Sequence, residues 1–186
     1  MLRFKRMIGT MLILSVLMMS TIANLAYASE TGTCPEEIIS FAQDELGMSV
    51  KLLEKKEANK YLTLLHKFKA TKIRKNMLSD NVQVMQVNPQ NIIYVAGTFK
   101  NNDNKTIYAI INGDTNKIEM ITISTFAGDG QVNIRTFDSS GFKEEVTTTE
   151  EEIMQLSEKS KQEMLDFIEK YNSGEISMNQ ILPPMR

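Results

Sequence analysis

A cysteine and a histidine in this chain could in principle pair as nucleophile and general base. Cys34 and His66 are its one cysteine and one histidine. A thiol becomes a useful nucleophile when a neighbouring base takes its proton. Neither residue stands in a local pattern that supports this role. Cys34 lies in a polar stretch near the N-terminus, and His66 falls inside a helical segment, where a lone histidine is ordinarily a surface or packing residue. There is no H-E-x-x-H, no paired Cys/His spacing and no EF-hand loop, so the sequence supports neither a metal nor a cofactor. A Gly-rich phosphate loop and a G-x-S-x-G elbow are also missing. Gly128-Asp129-Gly130 reads as a turn. No catalytic residue is assigned, and an enzyme working through Cys34 or His66 is the less favoured class.

Charge is the more informative chemistry. Lys67, Lys69, Lys72, Arg74 and Lys75 crowd nine positions. Such a cluster is either a solvated helix face or a contact for an anionic surface, such as a membrane or cell-wall polymer. These five are the candidate binding residues. Glu144-Glu145 and Glu150-Glu151-Glu152 form an acidic counterpart, which reads as a solvated helix start. Asn104-Lys105-Thr106 matches the short glycosylation acceptor pattern. The eight methionines after residue 28 are scattered among core-type positions and fill gaps rather than bind metal.

The first 28 residues are read as a targeting segment and not as fold. Arg3, Lys5 and Arg6 precede an apolar run, 7–25, and Ala26-Tyr27-Ala28 fits a small-residue cleavage site before Ser29. This is the pattern of a secretory signal peptide. The apolar run is also long enough to span a bilayer, so a retained membrane anchor is the alternative. Cleavage would remove three basic residues and no acidic ones. The chain from Ser29 then carries 18 basic against 23 acidic residues, a formal net charge of −5. A mildly acidic secreted domain offers no electrostatic case for nucleic acid. With a single cysteine it has no internal disulfide, and an intermolecular disulfide through Cys34 is the one pairing open to it.

These residues must be positioned by a core of about 150 residues, enough for one domain over 29–175 with a tail over 176–186. The organising stretch is Val82 to Thr125. Its β-prone runs are Val82–Val87, Ile92–Lys100, Thr106–Asn112 and Lys117–Thr125, and Val132–Phe137 adds a fifth. Polar turns at Asn88-Pro89-Gln90-Asn91, Asn101–Lys105 and Asn112–Asn116 make neighbouring strands antiparallel. Ile92–Ala96 and Ile107–Ile111 are nearly continuous in apolar content and read as central strands.

Before this stretch, Thr33-Cys34-Pro35-Glu36 is a helix-start signal and Gly47 a stop. Met48–Leu53 is a short extended segment or a turn. Glu54–Asn76 is helical, with a break near Phe68–Thr71. After the strands, Thr149-Glu150-Glu151-Glu152 forms a capping box that opens a helix to about Tyr171. The fold class is therefore α+β: an antiparallel meander of four to five strands, flanked by N-terminal helices and a C-terminal helix covering one sheet face.

At Leu53-Glu54-Lys55-Lys56-Glu57-Ala58-Asn59-Lys60 and the following Phe68-Lys69, the chain resembles the N-terminal region of secreted halocin-C8-like bacteriocin precursors. There, a signal peptide precedes a helical segment and a β-rich region. The resemblance spans roughly Leu52 to Phe137. That family ends in a cysteine-rich peptide, whereas here no cysteine follows Cys34. The resemblance therefore implies only a pro-region or immunity-like part. The function expected is a secreted, non-enzymatic binding protein whose partner is another protein or the anionic cell envelope. The alternative is an interaction or inhibitor module acting through a sheet edge.

Overall fold

The computed structural model describes residues 36–74 and 76–176. The expected signal peptide, Cys34, Lys75 and the tail beyond Ile176 lie outside the described residues. The elements in chain order are α1 (Glu36–Asp44), β1 (Ser49–Leu52), α2 (Lys55–Lys67), a 3-10 turn (Lys69–Thr71), β2 (Gln83–Asn88), β3 (Ile92–Phe99), β4 (Asn102–Asn112), β5 (Lys117–Phe126), β6 (Gln131–Asp138), β7 (Gly141–Thr149) and α3 (Glu150–Asn172). The strands form one sheet in sequence order, β1 to β7, and every neighbouring pair is antiparallel.

The class is α+β, as the alternation of short turns and β-branched runs implies. The sheet has seven strands rather than four or five. The two additional ones are its edges. β1 has four residues, all exposed. β7 carries Lys143, Glu144 and Glu145 and is exposed along most of its length. An edge strand buries neither face fully, so it lacks the apolar signature of an inner strand, and charge on it discourages pairing with other chains. The turn expected over Asn101–Lys105 is also shorter. β4 begins at Asn102, opposite Phe99, which leaves Lys100 and Asn101 as the two-residue turn with Asn101 at φ +58°. Asparagine accepts this left-handed geometry better than most residues.

The alternation of side chains divides the core in two. Val84, Ile93, Val95, Ile107, Ala109, Ile111 and Ile121 point to one face and are almost wholly buried. There they meet Ala58, Tyr61 and Leu65 of α2. Each fully buried aliphatic side chain of this kind contributes roughly 1.5–3 kcal/mol. Val87 and Tyr94 point to the other face and meet Ile38, Phe41 and Ala42 of α1 and Met164 and Ile168 of α3. Helices thus cover both faces, which explains why β3 reads as continuously apolar.

Close backbone approaches fix two corners. A Cβ on Gly97 would lie 2.8 Å from Val82 Cα, and one on Gly113 would lie 2.6 Å from the Asn91 carbonyl oxygen. At the second corner the Gly113 amide donates to that carbonyl at 2.7 Å, and Asn91 Nδ2 donates to Asp114 Oδ1 at 2.6 Å. The β2–β3 and β4–β5 turns are therefore tied together.

Candidate functional site

The basic cluster follows the end of α2. Phe68 closes the helix, its amide reaching the Leu64 and Leu65 carbonyls. Thr71 Oγ1 donates back to the Phe68 carbonyl at 3.1 Å, and the Lys72 amide donates to the Lys69 carbonyl at 3.2 Å. Lys72 then turns at φ +56°. This reversal points Ile73 into the core, where it is 3% exposed beside Leu78. Beyond it, the Lys100 amide donates to the Met77 carbonyl, and Leu78 forms a bridge with Phe99. The cluster is therefore carried on a loop anchored at both ends to the core and to β3.

Lys67, Lys69, Lys72 and Arg74 are all exposed. None of them takes part in any ion pair found among the described residues. No acidic residue occurs between Glu57 and Asp80, so the segment contains no carboxylate of its own. The C-terminal end of α2 adds its own partial negative charge, which favours cations in its last turn. The structure thus places Lys67 at the last residue of α2 and Lys69, Lys72 and Arg74 on the loop that follows it. Lys75 lies outside the described residues.

The acidic candidates are used differently. Glu145 accepts from Asn133 Nδ2 at 2.8 Å and lies 3.4 Å from Arg135 Nε, so its charge is balanced across the β6–β7 ladder. Glu152 completes the capping box with Thr149, as the T-E-E-E pattern indicates. The Thr148 hydroxyl and then the Thr149 amide hold its carboxyl below the usual range. Asp138 is held low chiefly by the Ser140 hydroxyl and amide, and more weakly by Lys143. These are structural duties. Among the described residues, no group of three His, Cys, Asp or Glu side chains could hold a metal. His66 sits in the last turn of α2 with Nε2 buried, away from solvent.

Sequence reasoning did not find a second charged feature. Glu36, Glu37, Asp44 and Glu45, with Ser40 and Asn172, rim an open groove of about 440 Å³ between α1 and α3, floored by Phe41 and Ile168. Phe41 meets the rings of Phe167 and Tyr171 edge to face, with centroids 5.7 and 5.2 Å apart. The outward carboxylates of α1 were legible from its apolar spacing. That α3 lies alongside them depends on a contact across more than a hundred residues.

No family model, curated protein or solved structure matches the chain.

Proposed function

We propose that this is a secreted, non-enzymatic binding protein of a Gram-positive bacterium, released at Ala28–Ser29 and associated with a bacteriocin as a pro-region or immunity-like part. It engages an anionic surface of the cell envelope through Lys67, Lys69, Lys72, Arg74 and Lys75. The observation that carries this reading is a dense set of exposed cations, without ion-pair partners among the described residues, on a segment pinned to the core by Ile73 and Leu78. An anchored loop holds its charges together without paying much ordering entropy on contact. Among the described residues, no helix is long and apolar enough to cross a membrane.

The test is co-sedimentation of the chain from Ser29 with phosphatidylglycerol vesicles and with phosphatidylcholine vesicles, over a range of salt. Binding to the anionic vesicles should weaken as salt rises, because exposed charges are screened. Lys69→Glu, Lys72→Glu and Arg74→Glu together should abolish it. Equal binding to both vesicle types, or unchanged binding by the triple variant, would remove the role.

A second reading is strand addition by a partner at β1. It is favoured by a specific feature: Val50 and Leu52 are 55% and 60% exposed on a strand that, among the described residues, pairs on one side alone. A partner strand would satisfy the open backbone groups and cover both side chains. Val50→Lys with Leu52→Lys would then abolish capture of that partner while leaving vesicle binding intact.

A further inference from the structure

The sheet separates two helical layers of opposite charge. On one face, the segment 55–74 holds seven basic residues against the single acid Glu57, a net of +6. On the other, 36–45 holds four carboxylates and no base, and α3 holds seven carboxylates against three lysines, a net of −8 for the two together. More than half of these cations lie at the end of α2 and on the loop after it. The acidic layer contains the open groove rimmed by Glu36, Glu37, Asp44 and Glu45. The loop belongs to the α2 face and the groove to the α1/α3 face, so they cannot meet within one molecule.

We propose that copies of this chain associate head to tail, the basic segment 67–74 of one copy seated in the acidic α1/α3 groove of the next. The occupant is a second copy because the chain itself carries the complementary charge. Two different patches on opposite faces make a heterologous contact, which repeats along a line unless the rotation happens to close it. Like-charged arrangements, loop to loop or groove to groove, are disfavoured by the same layering. The proposal rests on reading the loop as a contact surface, and it adds an order of events. A copy whose loop lies on an anionic surface still presents its groove outward and can receive the next loop.

Charge complementarity between exposed patches is screened by salt, with a Debye length of about 10 Å at 0.1 M and about 3 Å at 1 M. The experiment is sedimentation velocity on the chain from Ser29, at several concentrations, in low salt and in about 1 M salt. The weight-average sedimentation coefficient should rise with concentration at low salt and stay at the monomer value at high salt. A loop variant (Lys69→Glu, Lys72→Glu, Arg74→Glu) and a groove variant (Glu36→Lys, Glu37→Lys, Asp44→Lys) should each be monomeric. A one-to-one mixture of the two should associate again, since each then meets its opposite charge. Circular dichroism melting checks that both are folded. If the groove variant fails to fold, Glu37→Gln with Asp44→Asn takes its place and should weaken association of the otherwise native chain.

A wild-type chain that stays monomeric at low salt would overturn the proposal, as would folded single variants that still associate, or a mixture of folded variants that does not. Vesicle binding separates the two readings. A groove variant that is monomeric yet still binds phosphatidylglycerol retains the envelope role. A chain that self-associates as described but ignores vesicles retains only the head-to-tail contact.

Discussion

Tyr171 donates its hydroxyl hydrogen to Glu45 Oε2 at 2.6 Å, joining residues 126 positions apart. The contact ties the end of α3 to the turn after α1, and Glu45 is one of the carboxylates that rim the acidic groove. The hydrogen bond to Glu45 holds the Tyr171 phenol above its ordinary pKa, with partial desolvation and the negative charge of Glu45 acting the same way. Alkaline titration followed by phenolate absorbance should therefore show a folded-state component above the ordinary value of 10.0 beside those of the buried Tyr94 and Tyr108, and Tyr171→Phe should delete that component alone.

Tyr94 and Tyr108 stack on the same sheet face, with centroids 6.1 Å apart and planes 20° from parallel. Burial pushes both phenols well above the ordinary value, and for Tyr108 the neighbouring Tyr94 adds to the shift. The unfolded chain would lose these protons near pH 10.0 while the folded chain keeps them, so the unfolded state binds fewer protons there. Stability from this pair is complete below that pH and falls as pH rises beyond it. Denaturant midpoints measured between pH 8 and 11 should drop only in the upper part of that range. Tyr108 Oη has no hydrogen-bond partner among the described residues. Tyr108→Phe should therefore raise stability at neutral pH, by about 1 kcal/mol.

Gly97→Ala should destabilise by roughly 1–3 kcal/mol, as overpacking does. The added Cβ would meet Val82 Cγ2 at 2.6 Å and Val82 Cα at 2.8 Å, and the second of these is backbone that a rotamer change cannot move. Urea unfolding of the two proteins measures the difference. Val82→Ala removes only the Cγ2 conflict, so it should rescue the variant in part.

Thr149 accepts from the Glu152 amide at 3.1 Å, and Glu152 Oε2 accepts from the Thr149 amide at 3.1 Å. Thr149→Ala should cost about 1 kcal/mol. The folded-state pKa of Glu152 is depressed, so the stability linked to its carboxylate is present above the ordinary carboxyl value and is lost as pH falls through the lower folded one. The Thr148 hydroxyl donates to that carboxylate, so thermal melting of the native chain and Thr148→Ala, compared at pH 7 and below pH 4, should show the gap between them narrowing in acid.

Ile73→Ala should cost about 2–5 kcal/mol, the range for large-to-small changes in a well-packed core. It should also release the loop while leaving every charge in place. If anchoring is what makes the loop a contact surface, vesicle binding should weaken although the net charge is unchanged. Amide hydrogen exchange would report the loosening between Phe68 and Leu78.

Much of this architecture could be read locally. The inner strands announce themselves through Ile92–Ala96 and Ile107–Ile111, and the start of α3 through Thr149 and Glu152, because these features depend on residues within a few positions of one another. The basic cluster was visible as composition, and its break near Phe68–Thr71 as a faltering of helical spacing. The edge strands were harder. Phe142-Lys143-Glu144-Glu145-Val146 alternates poorly because most of β7 faces water, and its pairing is decided by β6. β1 is four residues long, too short for its alternation to stand out.

By itself, the sequence determined the fold class, the order of the central strands, the absence of a recognisable catalytic or metal motif, and the charge of each segment. These follow from side-chain period, turn chemistry and counting. Only the tertiary structure decided which face of the sheet each helix covers. That choice gathers the cations of 55–74 on one side and the carboxylates of α1 and α3 on the other, and it places Tyr171 within hydrogen-bond reach of Glu45 beside the groove. The physical reason is that a strand presents two apolar faces with equal readiness. Which helix takes which face is settled by long-range packing, and no local pattern encodes it.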